Sequence, residues 1–281
     1  MAAGTSSRFV PLSVERPKGL LEVKGEILIE RQIRQLQEAG VSDITIVTGY
    51  KAAMFDYLRE KYGIDTVYNE DYNRYNNTSS IIRVIDRLSN TFICCSDHYF
   101  NENVFQDPAN ESYYAARYAE GPTGEYCLST DEKDYITEVK VRGHDAWYMA
   151  GHVFFSQSFS HKFRDIMTRE YASEKVRVGY WEDVYINHIN ELPMQIRRYS
   201  DEDIFEFDTL DELRTFDESY FSDTRSIILK AICKDLSCKE SDLHSFQKIK
   251  HDGEYLLFTF CYKNERYRYD ERDSSSIIID Q

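Results

Sequence analysis

No run of the 281-residue sequence approaches the ~20 apolar residues that a membrane-crossing helix needs. No basic leader with an apolar core is visible either, which sets aside a secretory signal. Positive charge is scarce. Thirty-four Lys and Arg stand against 49 Asp and Glu, a formal net charge of −15. That balance excludes a general nucleic-acid binder, whose hold on phosphates needs clustered cations. Zinc-type cysteine spacing is also missing from Cys94, Cys95, Cys127, Cys233, Cys238 and Cys261. Cys94 and Cys95 lie in an apolar, strand-like run and read as buried, reduced thiols. Together these absences point to a cytoplasmic protein with neither a membrane nor a nucleic-acid partner. What remains is an ordinary globular composition, 42 % hydrophobic and 30 % charged, enough for one large domain or one large and one small.

Two patterns alternate over the first hundred residues. "ILIERQIRQLQEAG" sets Ile29, Ile33, Leu36 and Ala39 at helical spacing and stops at Gly40. "VSDITIVTGY" then reads as a β-branched strand, "AAMFDYLREKYG" as a helix and "IDTVYN" as a strand. "TSSIIRVIDRLS" follows as a helix with Thr78 or Ser79 available as its cap, and "NTFICCSDHYF" as another strand. This alternation predicts a doubly wound, mostly parallel sheet with ligands beyond the carboxyl ends of its strands. Gly4, Gly49 and Asp97 fall at such ends. From about residue 111, strands follow one another without helices and predict an antiparallel extension. Helices are expected near 158–171 and 181–191, then a strand, turn and helix in "DIFEFDTLDELRTF". Residues 221–281 read as a separate small α+β piece: a helix at 224–235, then a hairpin turning at Lys263-Asn264. The tail "ERDSSSIIIDQ" offers neither core nor cap.

The opening "MAAGTSSRFVPLSVERPKG" lacks bulk at Ala2, Ala3 and Gly4, so a ligand can approach the backbone there. Its N–H groups could cradle an anion, with Arg8 and Lys18 supplying charge; a tight turn with two surface cations fits the spacing as well. Asp97 ends the most apolar strand, where a carboxylate is costly to bury without a cation. Asp208 closes "IFEFD" and could equally cap the next helix. Taken together, the two carboxylates could hold one hard divalent cation, which favours one or two carboxylates plus substrate phosphate. His98 and His152 both flank apolar strand residues and read as structural.

"AAGTSSRFVPLS..RPKGLLEVKGEILIERQI" resembles the signature of nucleotidyltransferases that activate phosphorylated sugars and alcohols. "GVSDITIVTGY", "FDYLREKYGI", "YNEDYNRYNNTSS", "SDHYF", "MAGHVFF" and "YWEDVYINHINEL" continue the resemblance in order over about residues 1–217. The run is most similar to bacterial CTP:phosphocholine cytidylyltransferases. The resemblance implies a Rossmann-like nucleotidyltransferase domain over 1–220, CTP and phosphocholine as substrates, and Mg2+ on Asp97 and Asp208. It implies nucleotide contacts at Ala2, Ala3, Gly4, Thr5, Asn77 and Ser79, with Arg8 and Lys18 acting on the phosphates. Two departures stand out: Ser6 replaces the family's second glycine, and Met1 stands at the end of an almost absent first strand. The expectation is a start lying upstream, since a sheet without its central strand would lose much of its core.

A quaternary ammonium is bound by aromatic faces near a carboxylate. "GYWEDVY" offers Tyr180, Trp181 and Tyr185 beside Glu182 and Asp183, and Tyr126 matches an aromatic position of the resembled enzymes. The same aromatics could instead form the core face of a helix. "ILKAICKDLSCKESDLHSFQKIKHDGEYLLFTFCYKNERYRYD", residues 228–270, resembles the start of a choline kinase N-lobe, but nothing downstream could complete a kinase site, so no kinase activity is expected. The implied reaction joins CTP and phosphocholine into CDP-choline and pyrophosphate. Alternatives are 2-aminoethylphosphonate or phosphoethanolamine as acceptor, a sugar-1-phosphate nucleotidyltransferase, or an inactive regulatory module; a homodimer is left open.

Overall fold

Leu28, Ile29, Ile33 and Leu36 recur at helical spacing, and all four are buried along one face of α1 (Leu28–Glu38). The β-branched run after it forms β1 (Thr45–Thr48), which pairs in parallel with β2 (Asp65–Tyr68) across the helix α2 (Tyr57–Tyr62). Next come α3 (Thr78–Ile82), β3 (Thr91–Ile93) and β4 (His98–Phe100). Two long strands, β5 (Tyr113–Thr130) and β6 (Ile136–Phe155), form the antiparallel extension. They are followed by α4 (Gln157–Glu170), α5 (Glu174–Val178), α6 (Trp181–Asn187), β7 (Gln195–Arg198) and β8 (Ile204–Glu206). The larger sheet runs β3-β6-β5-β7, and β8 pairs antiparallel with β4. Sequence alternation predicts a mostly parallel sheet; the pairing is mixed, parallel in β1–β2 and β5–β7 and antiparallel elsewhere.

The computed structural model describes residues 1–107, 109–250, 255–273 and 277–279. By internal contacts the chain divides into two units: residues 1–4 with 28–206, and residues 5–27 with 207–281. In the first, aromatic side chains of β6, α4 and α6 meet in the core. Phe155, Phe163, Trp181 and Tyr185 are all at most 1 % exposed.

The second unit contains α7 (Leu210–Phe216), α8 (Ile227–Leu236) and a sheet β9-β10-β11-β12 (His244–Lys248, Leu257–Tyr262, Glu265–Asp270, Ile277–Ile279). The expected boundary at 220 falls inside this unit, and there is a physical reason. Buried Arg214 donates to the carbonyls of Tyr220, Glu240 and Leu243, and Tyr220 Oη donates to Glu22 O at 2.7 Å. Lys24 N donates to Asp217 Oδ2 and Ile228 N to Glu15 Oε1, so residues 5–27 fold with the C-terminal chain. The hairpin turns where expected: Lys263 and Asn264 both have positive φ, the conformation that two-residue turns between twisted strands require. The tail differs from its reading, because Ile277–Ile279 pairs with Tyr267–Tyr269 as an edge strand. Residues 274–276, 280 and 281 of that tail lie outside the described residues.

Candidate active site

In the first unit the start of the chain lies against the carboxyl end of β1. Ala2 N donates to Val47 O at 2.8 Å, and Tyr50 N donates to Ala3 O at 3.1 Å. Gly49 makes the approach possible: a Cβ there would sit 2.8 Å from Ala3 O and 2.5 Å from Tyr72 Cβ. Around Gly4 the protein leaves open space on the side where a Cβ would project, as a ligand-facing backbone requires.

Asp97 follows β3. Its carboxylate lies with Cys95 Sγ and His98 in a group whose ligand atoms are all within 4.8 Å of one another. Burial and the neighbouring Asp97 carboxylate push the Cys95 thiol far up, so it stays protonated and is a poor ligand. Among these three, Asp97 is the hard oxygen donor, which suits a magnesium ion completed by substrate phosphates. His98 Nε2 lies 3.3 Å from Glu206 Oε2. Burial raises the Tyr114 and Tyr148 hydroxyl pKa values, with a small electrostatic share added by Glu206, half exposed at the end of β8. The sequence reading passed over it. The available signal was its place in "IFEFD", two residues before Asp208. His152 is structural as expected: buried among Phe92, Phe100 and Phe105, it meets Tyr113 Oη at 2.9 Å, and desolvation lowers its pKa to about 3.

In the second unit, Thr209 caps α7 by accepting from Glu212 N, so Asp208 is not the helix cap. The Asp208 carboxylate turns instead to Arg8 Nη1 at 2.6 Å and, more distantly, to Lys18 Nζ at 3.9 Å. Arg8 is exposed, whereas Lys18 is 5 % exposed and lies over the Phe9 ring. Two cations therefore flank one carboxylate, an arrangement that can receive phosphate oxygens and a bridging metal. Ser6 takes a left-handed backbone (φ 47°), which costs a serine about 1 kcal/mol relative to glycine. Ser6→Gly should accordingly leave activity equal or higher and raise Tm slightly; a large loss of activity would show that the hydroxyl has a contact of its own.

Several expected contacts take other roles. Trp181 is 1 % exposed, stacked on Tyr114 at 5.8 Å and packed edge-on against Phe155 and Phe163. Tyr185 is fully buried and packs on Phe159. Neither ring presents a face to a ligand, because both point inward from α6 at positions i and i+4. Trp181→Ala should cost about 3–5 kcal/mol, lowering Tm by roughly 10 °C with both substrates affected together; selective loss of acceptor binding in a stable protein would contradict this placement. Asn77 is engaged at both ends of its amide: Nδ2 donates to Glu182 Oε2 at 3.0 Å, and Oδ1 accepts from Trp181 N at 2.7 Å. Ser79, fully buried, donates to Asn76 O and accepts from Asn69 Nδ2. Asn77 thus braces α3 against α6, and Ser79 ties α3 to Asn69 and Asn76.

What remains open near α6 is a smaller cluster. Tyr180 is 46 % exposed, and its N–H donates to Asp183 Oδ2 at 2.9 Å. Tyr126 Oη donates to Asp183 Oδ1 at 3.3 Å. Glu182 is held between Asn77 and Tyr114 Oη, and desolvation raises its pKa to about 7. Since the folded protein binds this proton more tightly than the unfolded chain, its stability contribution is complete below pH ~4.5 and is lost as pH rises through ~7. Unfolding free energy should therefore fall by on the order of 2–3 kcal/mol between pH 5 and 8, and Glu182→Gln should flatten that slope. An unchanged slope in the variant would assign the pH dependence to other groups.

A MobA-like NTP transferase domain model matches residues 1–128. The choline-phosphate cytidylyltransferase of Streptococcus pneumoniae is 31 % identical over 218 residues, 78 % of this chain and 95 % of that protein. The 2-aminoethylphosphonate cytidylyltransferase of Lancefieldella rimae is 35 % identical over 224 residues, 78 % of this chain and 91 % of that one. A solved structure of the S. pneumoniae CTP:phosphocholine cytidylyltransferase superposes with a TM-score of 0.74, covering 78 % of this chain and 96 % of that chain. The glycine-bearing opening, the carboxylate after β3 and the cation pair around Asp208 thus belong to an enzyme: the chain is a member of the nucleotidyltransferase family that includes these cytidylyltransferases.

Proposed function

We propose that the protein transfers the cytidylyl group of CTP to phosphocholine, releasing pyrophosphate and forming CDP-choline. The observation that carries this reading is the alignment with a choline-phosphate enzyme over nearly its whole length. The cluster of Tyr126, Tyr180, Glu182 and Asp183, aromatic faces beside carboxylates, supports it as a seat for a quaternary ammonium. A phosphate oxygen of the acceptor attacks the α-phosphorus in line, and the bond to the β-phosphate oxygen breaks. The phosphate is already a competent nucleophile and needs no general base. The protein's part is positioning and charge neutralisation. Ala2 N–H is taken by Val47 O, so the backbone N–H groups of Ala3 to Thr5 receive the nucleotide phosphates, Arg8 holds the departing pyrophosphate, and Lys18 neutralises charge growing on the α-phosphate. Asp97 and Asp208 are the carboxylates assigned to magnesium, which supplies Lewis-acid charge to the phosphate oxygens when bound. That assignment rests on the strand-ending motifs and on the donor chemistry.

A second acceptor, 2-aminoethylphosphonate, is favoured by the 35 % identity to an enzyme of that name. The deciding experiment is pyrophosphate release with each of four nucleoside triphosphates and with phosphocholine, phosphoethanolamine and 2-aminoethylphosphonate. The proposal expects CTP and phosphocholine to give the highest kcat/KM. Preference for the primary amine of 2-aminoethylphosphonate would establish the second reading, and no release with any pair would remove both.

A further inference from the structure

Cys95, Asp97 and His98 follow closely on one another where the chain passes from β3 to β4. Their ligand atoms, a sulfur, a carboxylate oxygen and an imidazole nitrogen, all lie within 4.8 Å of one another. His98 is buried, whereas Cys95 and Asp97 are half-buried and leave the set reachable from solvent. The segment that carries them is clamped. Gln32, 4 % exposed on α1, donates through Nε2 to Cys95 O at 2.8 Å and to His98 O at 2.7 Å. Between those two points Ser96 N donates to Met1 O at 3.0 Å. The register of β4 with β8 sets Glu206 opposite His98. Their side chains meet, Nε2 to Oε2 at 3.3 Å, a carboxylate–histidine contact of the kind that orients ligating imidazoles.

Magnesium uses only part of this set, because it takes oxygen donors and leaves sulfur and imidazole aside. Thiolate, imidazole and carboxylate are instead the three donor types of zinc, whose open sites take three protein groups and one water or substrate oxygen. Tetrahedral zinc holds such donors roughly 3.3–3.8 Å apart, so side-chain shifts of about 1 Å would close the set. Burial and the charges of Asp97 and Glu206 keep the Cys95 thiol protonated. Those same charges attract a dication, and a thiol that coordinates zinc gives up its proton to solvent. Cysteine spacing alone conceals the set, since its other two donors are a carboxylate and an imidazole.

We propose that Cys95, Asp97 and His98 form a binding site for a thiophilic divalent cation of the zinc class. Glu206 orients His98, and water or a substrate phosphate takes the fourth position. The site goes beyond the proposed reaction, which gives Cys95 and His98 no part. One consequence does rest on that reading, through the assignment of Asp97 to magnesium: zinc held here occupies that carboxylate and inhibits transfer.

Cobalt(II) is the probe, because it accepts zinc's geometry and shows a charge-transfer band when a thiolate binds it. The full chain should bind one cobalt ion with that band, and added zinc should bleach it. Cys95→Ser and Cys95→Ala, with far-ultraviolet spectra matching the parent, should each abolish the band. His98→Gln should weaken cobalt binding at least about tenfold, and Cys94→Ser should keep both band and affinity. No band in the parent, a band surviving both Cys95 substitutions, loss of the band in Cys94→Ser, or unchanged affinity in His98→Gln would each overturn the site. In pyrophosphate release, zinc should inhibit in competition with magnesium. Cys95→Ser, compared with its own zinc-free rate, should need at least about tenfold more zinc for equal inhibition. A Cys95-dependent band without inhibition would uphold the site and take Asp97 away from magnesium, so the two readings fail separately.

Discussion

Asp97→Asn should lower kcat by at least about 10³-fold in magnesium while leaving Tm and the far-ultraviolet spectrum unchanged. The substitution keeps the side chain's volume and its hydrogen-bonding reach in the turn between β3 and β4, so folding is not at stake. What it removes is the negative charge, and a neutral amide is a weak ligand for a hard cation that holds its water tightly. Losing the metal's share of transition-state charge stabilisation, several kcal/mol, corresponds to three or more powers of ten in rate. The neighbouring donors are poor replacements, because the Cys95 thiol is held protonated and His98 is already turned toward Glu206. Asp208→Asn should behave similarly in rate, with an added consequence: Arg8 and Lys18 lose the carboxylate that stands between them. Single-turnover rates across a magnesium titration would check both. A variant of Asp97 that keeps near-normal turnover at saturating magnesium would take Asp97 out of the metal site.

The fold's local parts could be read from the chain because local rules govern them. The apolar period of 29–36 predicts α1, and Lys263-Asn264 between alternating aromatics predicts the hairpin. The opening loop was legible only in part, since its small residues and cations suit an anion cradle and a tight turn equally well. The aromatic cage was misjudged at Trp181 and Tyr185, although their i, i+4 spacing on one helix face was in plain view. "YWEDVY" has the same composition whether that face points to a ligand or to Phe155 and Phe163. Asn77 carries a related ambiguity: a polar residue near a site looks alike whether its partner is a nucleotide or the amide of Trp181. The pairing of residues 5–27 with the C-terminal chain leaves no local pattern. It rests on bonds such as Tyr220 to Glu22 and Ile228 to Glu15, nearly two hundred residues apart or more.

Lys18→Met should reduce kcat by about 10²–10³-fold with a much smaller change in the KM for CTP. The reason lies in when its charge is needed. In the ground state the triphosphate already has Arg8, the loop N–H groups and solvent to answer its charge, so one ammonium adds modestly to binding. As the acceptor oxygen approaches the α-phosphorus, charge shifts onto the phosphate oxygens that the proposed role assigns to Lys18, and an interaction made mainly there appears in kcat. Its environment magnifies the effect. Lys18 is 5 % exposed and lies over the Phe9 ring, so little water screens it. Methionine keeps the apolar stem against Phe9, which separates lost charge from a lost packing contact. Arg8→Met should differ in kind: the side chain is 73 % exposed, so its loss should raise the KM for CTP and be partly masked at high salt. If Lys18→Met raised KM and left kcat intact, Lys18 would be a binding residue for the ground-state triphosphate and charge neutralisation at the α-phosphate would have to come from elsewhere.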